Sequence, residues 1–121
     1  MEYRINESEY RFMEVVWEAE PVGSMELVRL CAERLGWKKS TTFTVIRKLE
    51  DKGVVKNEGA VVTALIKREE ALLKESDEFV NRKFKGSLPD FLSAFLRDKK
   101  LSGEEAQKLE KMIRDAVDES R

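Results

Sequence analysis

Apolar residues recur at helical spacing along most of the chain, and short capping signals divide them into separate helices. Asn6 followed by Glu9 is a start signal for a first helix, which we expect to end near Glu20. Ser24 is a good N-cap for a second helix, and Gly36 closes it. One side of each helix is apolar, with Phe12, Met13, Val16 and Trp17 in the first and Leu27, Val28, Cys31 and Leu35 in the second.

The segment from Trp37 to Gly53 predicts a third helix, with one apolar face and one face of hydroxyls and cations. Gly53 stands where a helix C′ residue is expected, and residues 54–56, 57–59 and 60–65 follow as strand, turn and strand. A helix followed by a hairpin is the second half of a winged helix, so the polar face is placed to enter a DNA groove. The apolar face carries Val45, Ile46 and Leu49, and the polar face carries Thr41, Thr44, Arg47 and Lys48.

Residues 67–121 predict three further helices. A charged segment from about Lys67 to Lys85 indicates a connecting helix that stops at Gly86, and Ser87 can cap the next helix. The last helix opens with the capping box Ser102–Glu105. The second and third of these helices have more apolar residues than short surface helices can cover by themselves. They are Leu88, Phe91, Leu92, Phe95 and Leu96, followed by Ala106, Leu109, Met112, Ile113, Ala116 and Val117.

Two organisations fit these C-terminal helices. They can fold back on the N-terminal half and complete a monomeric core, or they can pair with the same helices of a second chain. We expect the dimer, because three helices and a hairpin already suffice to close a small core in residues 1–66. The predicted fold is therefore mainly α with a small β-hairpin wing: a winged helix-turn-helix domain over residues 1–66 and a helical dimerisation domain over residues 67–121. The predicted dimer contacts are Leu88, Phe91, Leu92, Phe95, Leu96, Leu109, Met112 and Ile113.

The charge of the chain is segregated. With 23 basic and 24 acidic residues the net charge is only -1, which is unlike a nonspecific nucleic-acid binder. Residues 36–57 nevertheless hold six cations against two acids, a local balance of +4, where the groove helix and the wing are predicted. The cations are Lys38, Lys39, Arg47, Lys48, Lys52 and Lys56, and the acids are Glu50 and Asp51.

The composition leaves little room for metal or catalytic chemistry. The chain has no histidine and one cysteine, so the usual zinc and copper ligands are almost missing, and we expect no cofactor. Cys31 is interpreted as core packing, with a reactive thiol as the alternative. We also predict no enzyme, because there is no phosphate loop and no nucleophile near a base. The single cysteine, the absence of a long apolar run and the N-terminus without a signal-peptide core predict a cytoplasmic protein that does not enter a membrane.

Four motifs in order give the chain a resemblance to a known family. They are Ile5-Asn6-Glu7-Ser8-Glu9 with Phe12, Met13 and Trp17; Trp37, Thr41, Thr44, Leu49, Lys52 and Gly53; Phe84 with Gly86-Ser87; and Leu101-Ser102-Gly103-Glu104-Glu105. In these residues the chain resembles the penicillinase-repressor family, the BlaI/MecI/CopY type of bacterial transcriptional repressors.

This resemblance implies a repressor that dimerises through its C-terminal helices and binds an operator in double-stranded DNA. Resistance repressors of the family are inactivated by a regulatory protease, and the matching bond here falls near Ala94-Phe95. Copper-responsive members carry a cysteine cluster near the C-terminus, whereas this chain ends Asp118-Glu119-Ser120-Arg121, so we expect no copper sensing.

Each candidate DNA contact has an alternative role. Thr41 and Thr44 suit phosphates, base edges or thymine methyls, or they stabilise the helix N-terminus with their side-chain oxygens. Lys38, Lys39 and Ser40 can hold a phosphate at the helix N-terminus, or Ser40 serves only as the cap. Trp37 is expected to position the groove helix by packing, with base contact as the alternative. The four remaining cations bind phosphate or form ordinary solvated surface, and they are Arg47, Lys48, Lys52 and Lys56.

The sequence also departs from the family pattern. Lys38 follows Trp37 where many members have serine, and Ala60 stands where the family often has a basic wing residue. Glu58 at the predicted wing tip would repel phosphate. We therefore predict a dimeric repressor that binds a palindromic operator through a recognition helix at about residues 39–52. The alternative is a winged-helix protein-interaction module with little DNA affinity.

Overall fold

The computed structural model describes residues 3–117. Within them the chain forms helices α1 (Glu7–Ala19), α2 (Ser24–Leu35), α3 (Lys39–Asp51), α4 (Arg68–Phe84), α5 (Leu88–Leu96) and α6 (Gly103–Ala116). The strands are β1 (Val22–Gly23), β2 (Val55–Glu58) and β3 (Val61–Ala64). The predicted fold class, mainly α with a small wing and a helical C-terminal region, is confirmed. The C-terminal Asp118–Arg121, considered above for a cysteine cluster, lies outside the described residues.

The first compact unit, Met1–Ser76, contains the winged helix and its hydrophobic core. The apolar stripes of α1 and α2 point inward as predicted, and Phe12, Met13 and Leu27 are fully buried. Cys31 is fully buried among them, which confirms its interpretation as a core residue. The core is closed by residues from α3, the turn after it and the sheet, namely Ile46, Leu49, Val54, Val55 and Val62.

The sheet has three antiparallel strands in the order β1-β3-β2. The sequence did not predict β1, which contributes two pairs, Val22 with Val62 and Gly23 with Val61. The hairpin turn is also shifted from the predicted residues 57–59, because Asn57 and Glu58 belong to β2. Gly59 and Ala60 form the turn, both with positive φ, which is the geometry of a two-residue type I′ hairpin.

The helix ends follow the predicted caps, with one shift. Asn6 and Glu9 form the capping box of α1, and Ser87 caps α5 with its side chain. Of the box predicted for α6, the contacts of the described residues include the bond from the Glu105 N–H to the Ser102 hydroxyl and not the reciprocal bond. The second helix begins one residue earlier than predicted, so its N-cap is Gly23 and not Ser24. These caps satisfy backbone groups that helix ends leave without intrahelical partners.

The first turns of α4 belong to the winged-helix unit. The indole Nε1 of Trp17 donates to the carbonyl oxygen of Ile66 at 3.0 Å, and Arg68 Nε lies 2.7 Å from Glu14 Oε1. Ala71 is buried in the same core. The boundary between the compact units falls inside α4, after Ser76.

The second unit, Asp77–Arg121, has few interior residues. The end of α4 meets α5 through aromatic rings: the Phe91 centroid lies 6.0 Å from that of Phe79, 5.5 Å from that of Phe84 and 5.7 Å from that of Phe95. Among the residues that the structure describes, neither α5 nor α6 contains a buried one. The described part of this unit, residues 77–117, therefore has an aromatic contact but no closed hydrophobic core.

Candidate nucleic-acid interface

Helix α3 is fixed to the winged-helix core by one face. Thr42, Ile46 and Leu49, spaced i, i+4 and i+7, are all buried. The ring of Trp37, just before the helix, lies parallel to that of Phe12 with centroids 5.9 Å apart. The predicted packing role of Trp37 is thus what the structure shows.

The opposite face of α3 is exposed and rich in hydroxyls and cations. Its exposed side chains are Ser40, Thr41, Thr44, Arg47 and Lys48. Within residues 3–117 neither Arg47 nor Lys48 has an ion pair, so no carboxylate of the described chain neutralises them. An exposed face of unpaired cations beside hydroxyl groups can donate hydrogen bonds to phosphates and base edges.

The N-terminus of α3 adds further donors. Lys38 is the N-cap residue and provides no side-chain cap, so backbone N–H groups of the first turn have no acceptor from it. Lys38 and Lys39 are both exposed at this end. Ser40 lies inside the helix, so its alternative role as the cap is wrong. Free N–H groups, the helix dipole and nearby ammonium groups together favour an anion.

Stabilisation of the helix N-terminus, the alternative role considered for Thr41 and Thr44, is carried out by Thr42, which the sequence analysis did not select. The Thr42 hydroxyl donates to the Lys38 carbonyl oxygen at 3.3 Å inside the first turn, and Thr42 is fully buried. Thr41 and Thr44 are exposed and make no side-chain hydrogen bond within the described chain. The local stabilisation expected of Thr41 or Thr44 is therefore supplied by Thr42.

Lys52 differs from the other cations of this region. Its Nζ lies 2.8 Å from Glu9 Oε1 and 2.6 Å from the Arg4 carbonyl oxygen. Glu9 is buried, with 4% of its side chain exposed, and so the pair is partly shielded from water. Sequence reasoning took Lys52 as a phosphate contact or a solvated surface cation, because helical spacing alone does not reveal a partner 43 residues away.

The wing presents a balanced charge. The Lys56 ammonium lies 3.2 Å from Glu58 Oε1, and both side chains are exposed. An exposed pair of this kind contributes little to stability, but it lowers the positive potential of β2. Lys56 thus faces an acid of its own strand, unlike Arg47 and Lys48.

The described residues give little support for a reactive thiol, a metal site or a membrane-spanning helix. Burial raises the pKa of the Cys31 thiol, against smaller opposing effects of a hydrogen bond with Thr42 and the charge of Arg34. Residues 3–117 contain no cluster of three side chains suited to hold a metal ion. None of their helices is both long enough and apolar enough to span a membrane.

The predicted dimer contacts lie on α5 and α6. Leu88, Phe95, Met112 and Ile113 are at least half exposed, from 50% for Phe95 to 63% for Met112. Four others are half-buried, and they are Phe91, Leu92, Leu96 and Leu109. Their role in dimerisation stays a prediction.

Comparisons with known proteins match almost the whole chain. The sequence model of the family described as penicillinase repressor matches residues 5–115. The penicillinase repressor of Bacillus licheniformis is 27% identical over 114 residues, which cover 91% of this chain and 89% of that protein. The methicillin resistance regulatory protein MecI of Staphylococcus aureus is 23% identical, and that of Mammaliicoccus sciuri 22% identical, each over 92% of this chain and 94% of its own length.

Proposed function

Because the chain belongs to the penicillinase-repressor family, we propose that it is a homodimeric transcriptional repressor that binds a palindromic operator in double-stranded DNA. Residues 1–66 would bind one half-site, and residues 67–121 would join two chains. Such a repressor acts in the cytoplasm, beside the chromosome. It blocks transcription by occupying a promoter.

One observation carries the DNA-binding part of the proposal: the exposed face of α3 combines hydroxyls with cations that no acid of the described chain neutralises. Phosphate contacts need such cations, and base readout needs donors and methyl groups on the same face. The proposed contacts are Lys38, Lys39, Ser40, Thr41, Thr44, Arg47 and Lys48, with a minor contribution from Lys56.

The exposed apolar residues of α5 and α6 support the dimer. Phe95, Met112 and Ile113 expose at least half of their surface, and isolated short helices of this kind need further burial to be stable. A second copy of the same helices supplies that surface with two-fold symmetry. Two α3 helices would then read half-sites about 34 Å apart, one turn of the duplex.

We do not propose that proteolysis near Ala94-Phe95 controls this protein. Ala94 and Phe95 both lie within α5, whose backbone must open before a protease can bind it as an extended chain. Nothing in the contacts of these residues favours such opening.

The test is selection of bound fragments from the source genome by the purified protein at two salt concentrations, with the oligomeric state measured by sedimentation. We expect enrichment of a two-fold symmetric sequence by a dimer, with affinity that falls steeply as salt rises. The matched control is an Arg47→Ala/Lys48→Ala double variant, which should fold and enrich nothing. Equal enrichment by this variant would contradict the assignment to α3.

A protein-interaction module is the second candidate, and the paired charges of the wing favour it. The Lys56–Glu58 pair and the net charge of -1 both weaken attraction to phosphate. Salt separates the two functions, because each released phosphate contact changes log K by about 0.9 per log unit of salt. A protein contact through Phe91, Leu92 and Phe95 would respond little to salt.

A further inference from the structure

Lys52 lies at the border between the apolar and polar sides of α3 by helical spacing, three residues after Leu49 and four after Lys48. Because Lys48 is one helical turn away, a surface role for Lys52 beside that cation is the simplest expectation. The side chain is instead only 33% exposed, and its Nζ is bound to Glu9 and to the Arg4 carbonyl oxygen.

Glu9 depends on Lys52 for charge compensation. Its Oε1 accepts from the Asn6 backbone N–H at 3.0 Å and from Lys52 at 2.8 Å. In the part of the chain that the structure describes, Lys52 is the only cation paired with this buried carboxylate. A buried carboxylate that loses its partner is strongly unfavourable, so the pair holds its two residues together.

This pair joins three parts of the winged helix at one end of α3. Glu9 is in the first turn of α1, Lys52 is the C-cap of α3, and Arg4 lies in the segment before α1. Immediately afterwards the Val54 N–H donates to the Leu49 carbonyl oxygen at 2.9 Å, which ends the helix sharply. The C-terminal end of α3 is therefore held by an ion pair and a tight turn.

The opposite end of α3 is held by different contacts. Trp37, just before the helix, stacks on Phe12, and Thr42 in the first turn is fully buried against the core. The buried row of Thr42, Ile46 and Leu49 sets which face of α3 is exposed, and the contacts at the two ends of the helix limit its tilt on the core. Loss of the Lys52 contact would let the C-terminal end tilt and misalign the exposed face with the base edges, whereas the long, flexible side chains of Arg47 and Lys48 can still reach phosphates.

We propose that Lys52 is a positioning residue: its ion pair with buried Glu9 fixes α3 for DNA binding, and its ammonium does not bind phosphate. The proposal rests on the proposed function, since it concerns the same DNA-binding helix. It separates Lys52 from Lys48, which sequence spacing places on the same side of α3.

The test uses a labelled duplex of the sequence recovered in the genomic selection. Full-length protein is titrated into it at several salt concentrations. Lys52→Met keeps the aliphatic stem and removes the charge. We expect operator affinity to fall about ten-fold, comparable with the loss of one base contact. The salt slope should stay unchanged, because no phosphate contact is lost. Measurement well below the unfolding temperature reports the affinity of folded protein, which a merely structural role would leave unaltered.

Lys48→Met is the matched control, with the same chemical change one helical turn away. It should lower the salt slope by about 0.9 per contact, or about 1.8 for a dimer, and leave thermal stability unchanged. Wild-type protein that shows no salt-dependent binding would refute the proposed function. Normal binding by wild type and a reduced slope in Lys52→Met would instead overturn only the positioning role.

Glu9→Gln keeps the proposal testable if Lys52→Met does not fold. Glutamine retains an acceptor for Asn6 and Lys52 but lacks the charge, so we expect a smaller loss of about three-fold in the same direction. If Lys52 bound phosphate, release from Glu9 would leave affinity unchanged or raise it, which would contradict the proposal. Where Lys52→Met folds, the double variant should lose no more than Lys52→Met alone, because the two side chains act as one unit.

Discussion

At the scale of single residues, cations that look alike along α3 have different surroundings. Arg47 and Lys48 are exposed and unpaired within residues 3–117, whereas Lys52 is bound to a buried carboxylate. Only the unpaired cations can give up their hydration to a phosphate without first breaking a contact within the protein. This difference makes the outcome of substitution predictable residue by residue.

Arg47→Ala and Lys48→Ala should each weaken operator binding and leave folding intact. Each removes one phosphate contact per subunit, so the salt slope should fall by about 1.8 for a dimer. Unfolding temperatures should stay close to wild type, because both side chains are exposed. Titration of labelled operator at several salt concentrations measures the slope.

The control for these variants is Arg29→Ala, which changes the net charge equally on another helix. Arg29 is already paired with Glu26 and Glu33 on the surface of α2, so its loss should have little effect on DNA binding. If Arg29→Ala lowered the slope as much as Arg47→Ala, the binding face would not be that of α3.

Cys31 should be unreactive toward thiol reagents in the folded protein. It is fully buried, and the raised pKa of its thiol leaves less thiolate at a given pH than a free cysteine has. We expect labelling by a chromogenic disulfide at pH 8 to be slower than in urea by at least about a hundred-fold, since it requires an opening of the core. Fast labelling of folded protein would contradict the packing of α2 against α1 and α3.

The burial and contacts of a residue could be predicted from the sequence where they depend on local spacing, but not where they depend on a partner far along the chain. The burial of Ile46 and Leu49 follows from helical periodicity, and the structure confirms it. Thr42 is a polar residue in that buried row, and Glu9 is paired with Lys52, which lies 43 residues away in the sequence. Neither feature has a local signal beyond its position.

At the scale of elements, capping residues and helix-ending glycines predicted the helix ends well. Gly36 has a positive φ of 70°, and Gly53 has a positive φ of 78°, as expected for residues that end helices. Strand β1 was missed because two residues carry no usable period, and its pairing depends on where β3 lies in the fold. The predicted turn was displaced because Asn57, a common turn residue, here continues the ladder together with Glu58.

Gly36→Ala should destabilise the winged helix by about 1 kcal/mol, the cost of a left-handed conformation for an L residue. An added Cβ meets no atom within 4 Å, so backbone strain and not a clash determines the effect. Gly36→Asn is the matched variant, and it should lose roughly half as much, because asparagine tolerates this conformation. Urea unfolding measures both, and equal losses would indicate a steric or packing cause instead.

At the scale of the whole molecule, the two compact units differ in how much apolar surface they bury. Unit Met1–Ser76 contains a closed core, and among the described residues of α5 and α6 none is buried. The sequence predicted this contrast, because it placed long apolar rows on helices too short to cover them. It could not predict what covers the rows, since partner choice depends on the shape of the assembled surface.

Phe95→Asp should split the proposed dimer and lower operator affinity together. Phe95 is half exposed and stacks on Phe91, so in a dimer an aspartate here would bring a carboxylate into the apolar interface, at a desolvation cost that the nearby Lys99 ammonium offsets only in part. A monomer binds each half-site separately and loses the avidity that comes from linking two DNA-binding domains. Operator affinity should therefore fall by about a hundred-fold or more. Sedimentation and operator titration on the same sample measure the two effects.

Ser93→Asp supplies the control, because it adds the same charge to the same helix. Ser93 is exposed and lies two residues from Phe95, which at 100° per residue places it on the other side of α5. This variant should remain dimeric and bind the operator as wild type does. A dimeric Phe95→Asp protein, or a monomer with unchanged operator affinity, would show that the apolar face of α5 does not join the chains for DNA binding. In that case the exposed rows would be surfaces for a different protein, which is the prediction of the interaction-module alternative.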